Sequence, residues 1–317
     1  MSVSTRPPVQ SGPVRPSEPS EPVRPAVPCE PVRPDVAPTL RSAGTPTRRR
    51  VTVRQGSAPP GFAVCDRIAW RHGRSTTGPT VEVVHPYTAA DISDDVMVSA
   101  LECLVAAKAL TGQWEFEEAA VGMIRTAAPQ EDAGWAAFYD NSIQELRGGR
   151  ARFAPVHRRA RSLLIGESVL EVGCCFGFLA VQCAEAGYRV AACDISPGAV
   201  GLLDRQSRRR GARVDAVVGD ATDLPFDDNG VDTVTLVHLL EHLDERQIRD
   251  ALREAVRVAR RRVVVAVPFE ELPSEHFGHR VRLSEADLHD WARCVDHAGA
   301  RTFTDHGGWL VLTPHRR

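Results

Sequence analysis

Lysine is nearly missing from this sequence: Lys108 stands alone among 39 basic residues, and the others are arginine. That bias is read as genome base composition, not as chemistry. No CxxC pair occurs among the eight cysteines, Cys29, Cys65, Cys103, Cys174, Cys175, Cys183, Cys193 and Cys294, which speaks against paired-thiol metal or redox motifs. Nor is there an apolar run of about 18 residues, so no membrane-spanning helix is expected. The first residues lack a signal-peptide hydrophobic region. The expectation is a cytoplasmic protein, away from membranes, with reduced thiols.

Basic charge is also lacking where a nucleic-acid surface would need it. The net charge is −2, but the first 58 residues carry nine arginines against four acids, or +5, leaving −7 for the rest. An acidic body excludes the usual nucleic-acid footprint.

What is present falls into three parts. Residues 1–58 repeat a nine-residue unit, "PVRPSEPSE", "PVRPAVPCE" and "PVRPDVAPT". Such proline-rich sequence cannot bury enough apolar surface to fold, so it is expected to be a disordered tail, with weak partner docking as its one functional reading. Residues 60–163 predict two short strands, "FAVCDRIAWRH" and "PTVEVVH", then three helices, the first capped by Asp91 or Ser93. They are expected to form an α+β elaboration, on the acceptor side of the catalytic part or as a lid over it. Residues 164–317 alternate strand and helix: "SVLEVG", "RVAACD", "RVDAVVG", "VDTVTLV", "RVVVAVP", "RTFTDH" and "WLVLTP" are the strands, with helices over 177–187, 197–210 and 244–259. This predicts an α/β, Rossmann-like doubly wound sheet of seven strands, mostly parallel, closing on an antiparallel hairpin at Gly307–Gly308.

The loop after the first of these strands, "VLEVGCCFGFLA", carries the chemistry. Gly173 allows a sharp turn and Gly177 a close backbone approach, and the following helix offers free N–H groups to a carboxylate. A dinucleotide loop needs a further glycine where Cys175 stands, which disfavours a nicotinamide oxidoreductase. S-adenosylmethionine has no pyrophosphate and suits the loop better. Asp194, 23 residues after Glu171, ends the second strand, where a carboxylate can accept from both ribose hydroxyls; Ser196 is available as the helix cap in its place. Asp220 with Ala221 ends the third strand, placed for an adenine amino group. Ile195 and His238, the latter through its backbone, complete the expected cofactor set with Glu171, Gly173 and Gly177.

This ensemble resembles the class I S-adenosylmethionine-dependent methyltransferases over residues 165–313. The resemblance assigns Glu171, Gly173 and Gly177 to the first motif, Asp194 to ribose, Asp220 to adenine and Glu241, His242 and Leu243 to the "EHL" after the fourth strand. A narrower resemblance rests on "WAAFYDNSIQEL", "FAPVHRRA", "CFGFL", "VDTVTLVHLLEHL", "PFEELPSEHFGHRVRLSEADL" and "HGGWLVL". These segments are similar to the mycofactocin oligosaccharide methyltransferases, over about residues 60–313. That likeness implies O-methylation of a glucose unit on the oligosaccharide of mycofactocin, a peptide-derived redox cofactor, and hence a small-molecule glycoside as partner.

A sugar hydroxyl needs a base. His238, Glu241, His242, Glu270, Glu271, His276 and His279 lie beyond the fourth and fifth strands, and His242, His276 and Glu241 are the catalytic candidates. His276 and His279 lack a third ligand, so no metal site is expected. Among the aromatic residues Phe277 and Trp309 are expected on the acceptor surface, ahead of Phe176, Phe178 and Phe269. The arginine runs 208–210 and 260–262 are expected as solvated faces, and His289 and His306 as structural. Two other classes stay open: a methyltransferase for a different small molecule, and a scaffold that binds the cofactor without turnover.

Overall fold

The computed structural model describes residues 48–315; residues 1–47, with the proline-rich repeats and any docking role, lie outside them. A four-stranded sheet comes first, built from β1 (Arg50–Gln55), β2 (Ala63–Cys65), β3 (Ile68–Ser75) and β4 (Gly78–His85) in the order β1-β4-β3-β2. Strand β1 falls inside the stretch expected as tail. It pairs in parallel with β4, from Arg50 opposite Thr80 to Gln55 opposite His85. The arginine run before it is docked: Arg49 forms an ion pair with buried Glu115, and Arg48 lies over Trp114. "FAVCDRIAWRH" is a hairpin and not one strand, turned at Asp66 with φ 52°.

Helices α1 (Asp94–Ala106), α2 (Gly112–Thr126), α3 (Glu131–Gly148) and α4 (Ala154–Ser162) follow. Ser93, not Asp91, caps α1, its Oγ accepting from Val96 N at 3.3 Å. Cys65 and Cys103 are joined as a disulfide tying β2 to α1. This corrects the expectation of reduced thiols for that pair, whose 38-residue separation carries no sequence signal.

The second sheet holds seven strands, as expected, and their order is β10-β11-β9-β8-β5-β6-β7. They are β5 (Ser168–Val172), β6 (Arg189–Asp194), β7 (Val214–Val218), β8 (Val231–Val237), β9 (Ala259–Val267), β10 (Gly299–Thr304) and β11 (Gly308–Thr313). All neighbours from β7 to β9 are parallel; β11 and β10 complete an antiparallel edge. Alternate residues face opposite layers. Val169, Val264, Ala266, Trp309 and Val311 join one core with α5 (Phe178–Glu185), α6 (Pro197–Arg209) and the N-terminal helices. Leu170, Val172, Val263, Val265, Leu310 and Leu312 join the other with α7 (Glu245–Val258) and α8 (Glu285–Cys294). Helix α7 buries Ile248, Ala251, Leu252, Ala255 and Val258, one stripe at helical spacing, behind an Asp244–Gln247 capping box.

Two expectations fail here. Trp309 is fully buried, stacked on Phe303 with Nε1 donating to Asp305 O at 2.7 Å, so it is core and not acceptor surface. The arginine runs are not simply solvated. Arg210 pairs with Asp140 of α3 and Glu185 of α5, Arg260 with Asp232, and Arg262 donates to Leu163 O.

Helices α2 and α3 touch through a glycine. A Cβ at Gly134 would lie 2.2 Å from the Ile124 carbonyl oxygen. Gly134→Ala should therefore destabilise the chain by about 1–3 kcal/mol in denaturant unfolding, although alanine favours an isolated helix by about 1 kcal/mol. A stabilised variant would contradict this packing.

Candidate active site

The order of strands reverses between β5 and β8, and ligands bind beyond the carboxyl ends at such a switch point. The loop 173–177 stands there. Three of its residues are left-handed: Gly173 at φ 70°, Cys175 at 48° and Gly177 at 67°. Cys175 thus takes the conformation a glycine would favour, at a strain of about 1–3 kcal/mol. Its N–H donates to Asp194 Oδ2 at 2.8 Å, and Gly173 N to Cys193 O at 2.8 Å, so the loop is tied to the end of β6. Asp194 Oδ1 accepts from Ser196 N at 2.9 Å, while Ser196, not Asp194, caps α6. Each carboxylate oxygen of Asp194 keeps a lone pair. Beside it the Ile195 side chain is 60 % exposed. Asp220 Oδ1 is engaged by Thr222 N and Oγ1, both at 2.8 Å.

Glu171 is buried, and Oε2 accepts from Ala180 N at 2.7 Å, bracing the first turn of α5 under the loop. No side chain caps α5. Above the loop, α3 lays Trp135, Phe138 and Tyr139 against Phe176 and Phe178, with ring centroids 5.2–6.4 Å apart. The Tyr139 hydroxyl is buried with no hydrogen-bond partner among the described residues. An unsatisfied buried hydroxyl is uncommon. Its position beside an uncapped helix suits the carboxylate end of an amino-acid ligand.

Past β8, His238 is left-handed at φ 54°, its N–H donating to Ala266 O at 2.9 Å and its ring edge-on to Phe153 at 4.8 Å. The turn Leu240–His242 then brings Glu241 and His242 up to His279 from the loop after β9. One donor atom from each of these three side chains lies within 4.8 Å of those of the other two. His279 was thus lacking a partner only in sequence: the fold supplies Glu241 and His242. Burial lowers the pKa of His242, against the raising effect of Glu241. His276 stands outside this group, packed on Phe116 at 5.3 Å and on Phe277 at 4.2 Å, its pKa also lowered by burial. Tyr139 is the site residue that sequence alone missed; the signal was a hydroxyl-bearing ring within the aromatic run "WAAFYD".

Residues 169–262 match the family described as "Methyltransferase domain". The match marks this region as a methyltransferase domain, for which S-adenosylmethionine is the cofactor. The uncapped α5, the partnerless Tyr139 hydroxyl and exposed Ile195 fit that molecule. The chain is 38% identical to a demethylmenaquinone methyltransferase of Paenarthrobacter aurescens over 101 residues, 32% of this chain and 38% of the relative. It is 37% identical to a ubiquinone biosynthesis O-methyltransferase of Xanthomonas euvesicatoria over 83 residues, 26% of this chain and 35% of the relative. The chain thus spans less than half the length of these curated relatives. Among solved structures, the PH0226 protein of Pyrococcus horikoshii is similar with a TM-score of 0.46 at 17% identity, covering 54% of this chain and 92% of that one. Among the described residues no helix is long and apolar enough to cross a membrane.

Burial raises the Glu171 pKa from about 4.5 to about 8, opposed by the Ala180 bond. A folded-state pKa above the unfolded one gives stability that is full below about pH 4.5 and lost as pH rises through about 8. Glu171→Gln removes that dependence. Between pH 5 and pH 9 its melting temperature should gain on the wild type by roughly 5 °C or more. Parallel pH profiles would contradict the burial of an ionisable Glu171.

Proposed function

We propose that this chain is an S-adenosylmethionine-dependent O-methyltransferase that methylates a glucose hydroxyl of the oligosaccharide on mycofactocin. The observation that carries the transfer reading is the alignment of two halves across the β5–β8 switch point: a cofactor loop on one side, and Glu241, His242 and His279 on the other. The acceptor is supported by the sequence segments similar to the mycofactocin enzymes, several of which line this site.

When bound, S-adenosylmethionine supplies a methyl group already activated by its sulfonium. Asp194 accepts from the ribose hydroxyls, Ile195 covers one face of the adenine, and Asp220 with Ala221 receives its amino group. The N-terminus of α5 and the Tyr139 hydroxyl hold the amino-acid end. Gly173, Gly177 and the His238 backbone line the pocket, with Glu171 bracing it. Positioning of this kind supplies most of the rate in a displacement at carbon. The acceptor hydroxyl must also lose its proton. Glu241 and His242 stand where it would be held, while His276, wedged between Phe116 and Phe277, serves the wall of the acceptor pocket.

Asp194→Ala should weaken S-adenosylhomocysteine binding by about 10–100-fold in calorimetry; unchanged affinity would refute the ribose role. For the acceptor, the protein and S-adenosylmethionine are offered oligoglucosylated mycofactocin, free cello-oligosaccharides and unglycosylated mycofactocin, followed by mass spectrometry. The expected result is one added methyl on the oligoglucoside alone. Transfer to none of them, by protein that binds S-adenosylhomocysteine, would sink the acceptor and leave another small molecule or a non-catalytic role.

A further inference from the structure

The Glu241 side chain has no account in the fold. It is 1% exposed, and neither carboxylate oxygen has a hydrogen-bond partner among the described residues. A buried carboxylate is expensive unless it is paired in good geometry or coordinates a metal, and this one has no aligned hydrogen bond. The groups facing it are three imidazoles. His238 Nδ1 lies 3.3 Å from Glu241 Oε1, outside hydrogen-bond alignment. His279 Nε2 lies 3.9 Å from the same oxygen. The His242 ring stands edge-on to His279, centroids 5.0 Å apart.

A second carboxylate orients the set from behind. Glu270 Oε2 is 2.7 Å from His279 Nδ1, and Glu270 is itself held by Ser274 Oγ at 2.7 Å. A proton fixed on Nδ1 by that bond turns the Nε2 lone pair toward Glu241. Two acceptors then face each other across a buried gap. Carboxylate–histidine pairs of this kind orient metal-bound imidazoles. The two loops are also stitched at the backbone, Arg280 N donating to Glu241 O at 2.8 Å.

We propose that Glu241, His242 and His279 bind one divalent first-row transition-metal ion, with Glu270 orienting His279. Two imidazoles and a carboxylate are the donor set of such ions, not of magnesium or calcium, which prefer oxygen alone. Tetrahedral donors at 2.0–2.1 Å from a metal stand about 3.4 Å apart. The 4.8 Å spread seen here closes to that by side-chain rotation, since His242 and His279 both come from loops. On the methyltransferase reading, on which this role rests, the ion lies where the acceptor hydroxyl arrives. Coordination would lower that hydroxyl's pKa so that its proton can pass to solvent water, and Glu241 and His242, the proton acceptors when no ion is bound, would serve as ligands.

The test uses the full, tag-free chain, stripped with a chelator and titrated with Co²⁺, read by its visible absorption, and separately with S-adenosylhomocysteine. One equivalent of Co²⁺ should bind to the wild type. Glu241→Gln and His279→Ala should each weaken it at least 100-fold, and Glu270→Gln by about 10–100-fold, all three retaining S-adenosylhomocysteine affinity as proof of folding. No cobalt spectrum in the wild type, or one unchanged in both ligand variants, overturns the site. Cobalt binding without S-adenosylhomocysteine binding supports the metal site and overturns the methyltransferase reading instead.

Discussion

The contact on which the site depends is the aromatic seam between α3 and the loop after β5. The loop is strained, with a cysteine at φ 48° between two left-handed glycines, and a strained backbone persists only where its surroundings over-determine it. From below, Asp194 holds the Cys175 amide, and Glu171 holds the Ala180 amide in the first turn of α5. From above, Phe176 and Phe178 are pinned by Trp135, Phe138 and Tyr139. Arg210 closes the same junction at the rim, joining Asp140 of α3 to Glu185 of α5. Rings that bury this much apolar area fix α3 in place, and α3 in turn carries the buried, partnerless Tyr139 hydroxyl. Loop, helix and hydroxyl are thus set by one packing arrangement.

The acceptor side is organised on the same principle. Phe116 of α2 lies against His276 and Phe277, and a Cβ at Gly278 would strike Gln113 of α2. The loop after β9 is therefore moulded on the N-terminal helices, and it delivers His279 to Glu241. The segment before β5 does more than cover the sheet: it shapes both halves of the site.

Much of this was legible in the sequence. Strands such as "SVLEVG" and "VDTVTLV" are apolar on both faces, the mark of a parallel sheet covered on each side, and their ends hold to within a residue or two. Helix α8 was not legible because it buries only Leu288 and Trp291, too few for a stripe. Strand β1 was hidden by its arginines: only Val51 and Val53 turn inward, against α2, in a stretch whose composition continues that of the tail. Asp194 and Glu171 could be found because spacing along a βαβ unit determines where they fall. The joining of Glu241 and His242 to His279 could not, because it depends on how a 3₁₀ turn and a long loop fold back on α2. The Cys65–Cys103 bond is of the same kind, and so is the burial of Trp309, whose place in the last hairpin suggests a rim while its strand lies within the sheet.

The seam leaves the Tyr139 hydroxyl buried without a partner, and its proposed role is to hold the amino-acid end of the cofactor. It is tested most directly by Tyr139→Phe, measured for melting temperature without ligand and for S-adenosylhomocysteine affinity by calorimetry. Deleting a partnerless buried hydroxyl should leave the melting temperature equal or higher, while affinity falls about 5-fold or more for a lost hydrogen bond. A variant that melts lower and binds S-adenosylhomocysteine as tightly as the wild type would place the hydroxyl in the fold and not in the cofactor seat.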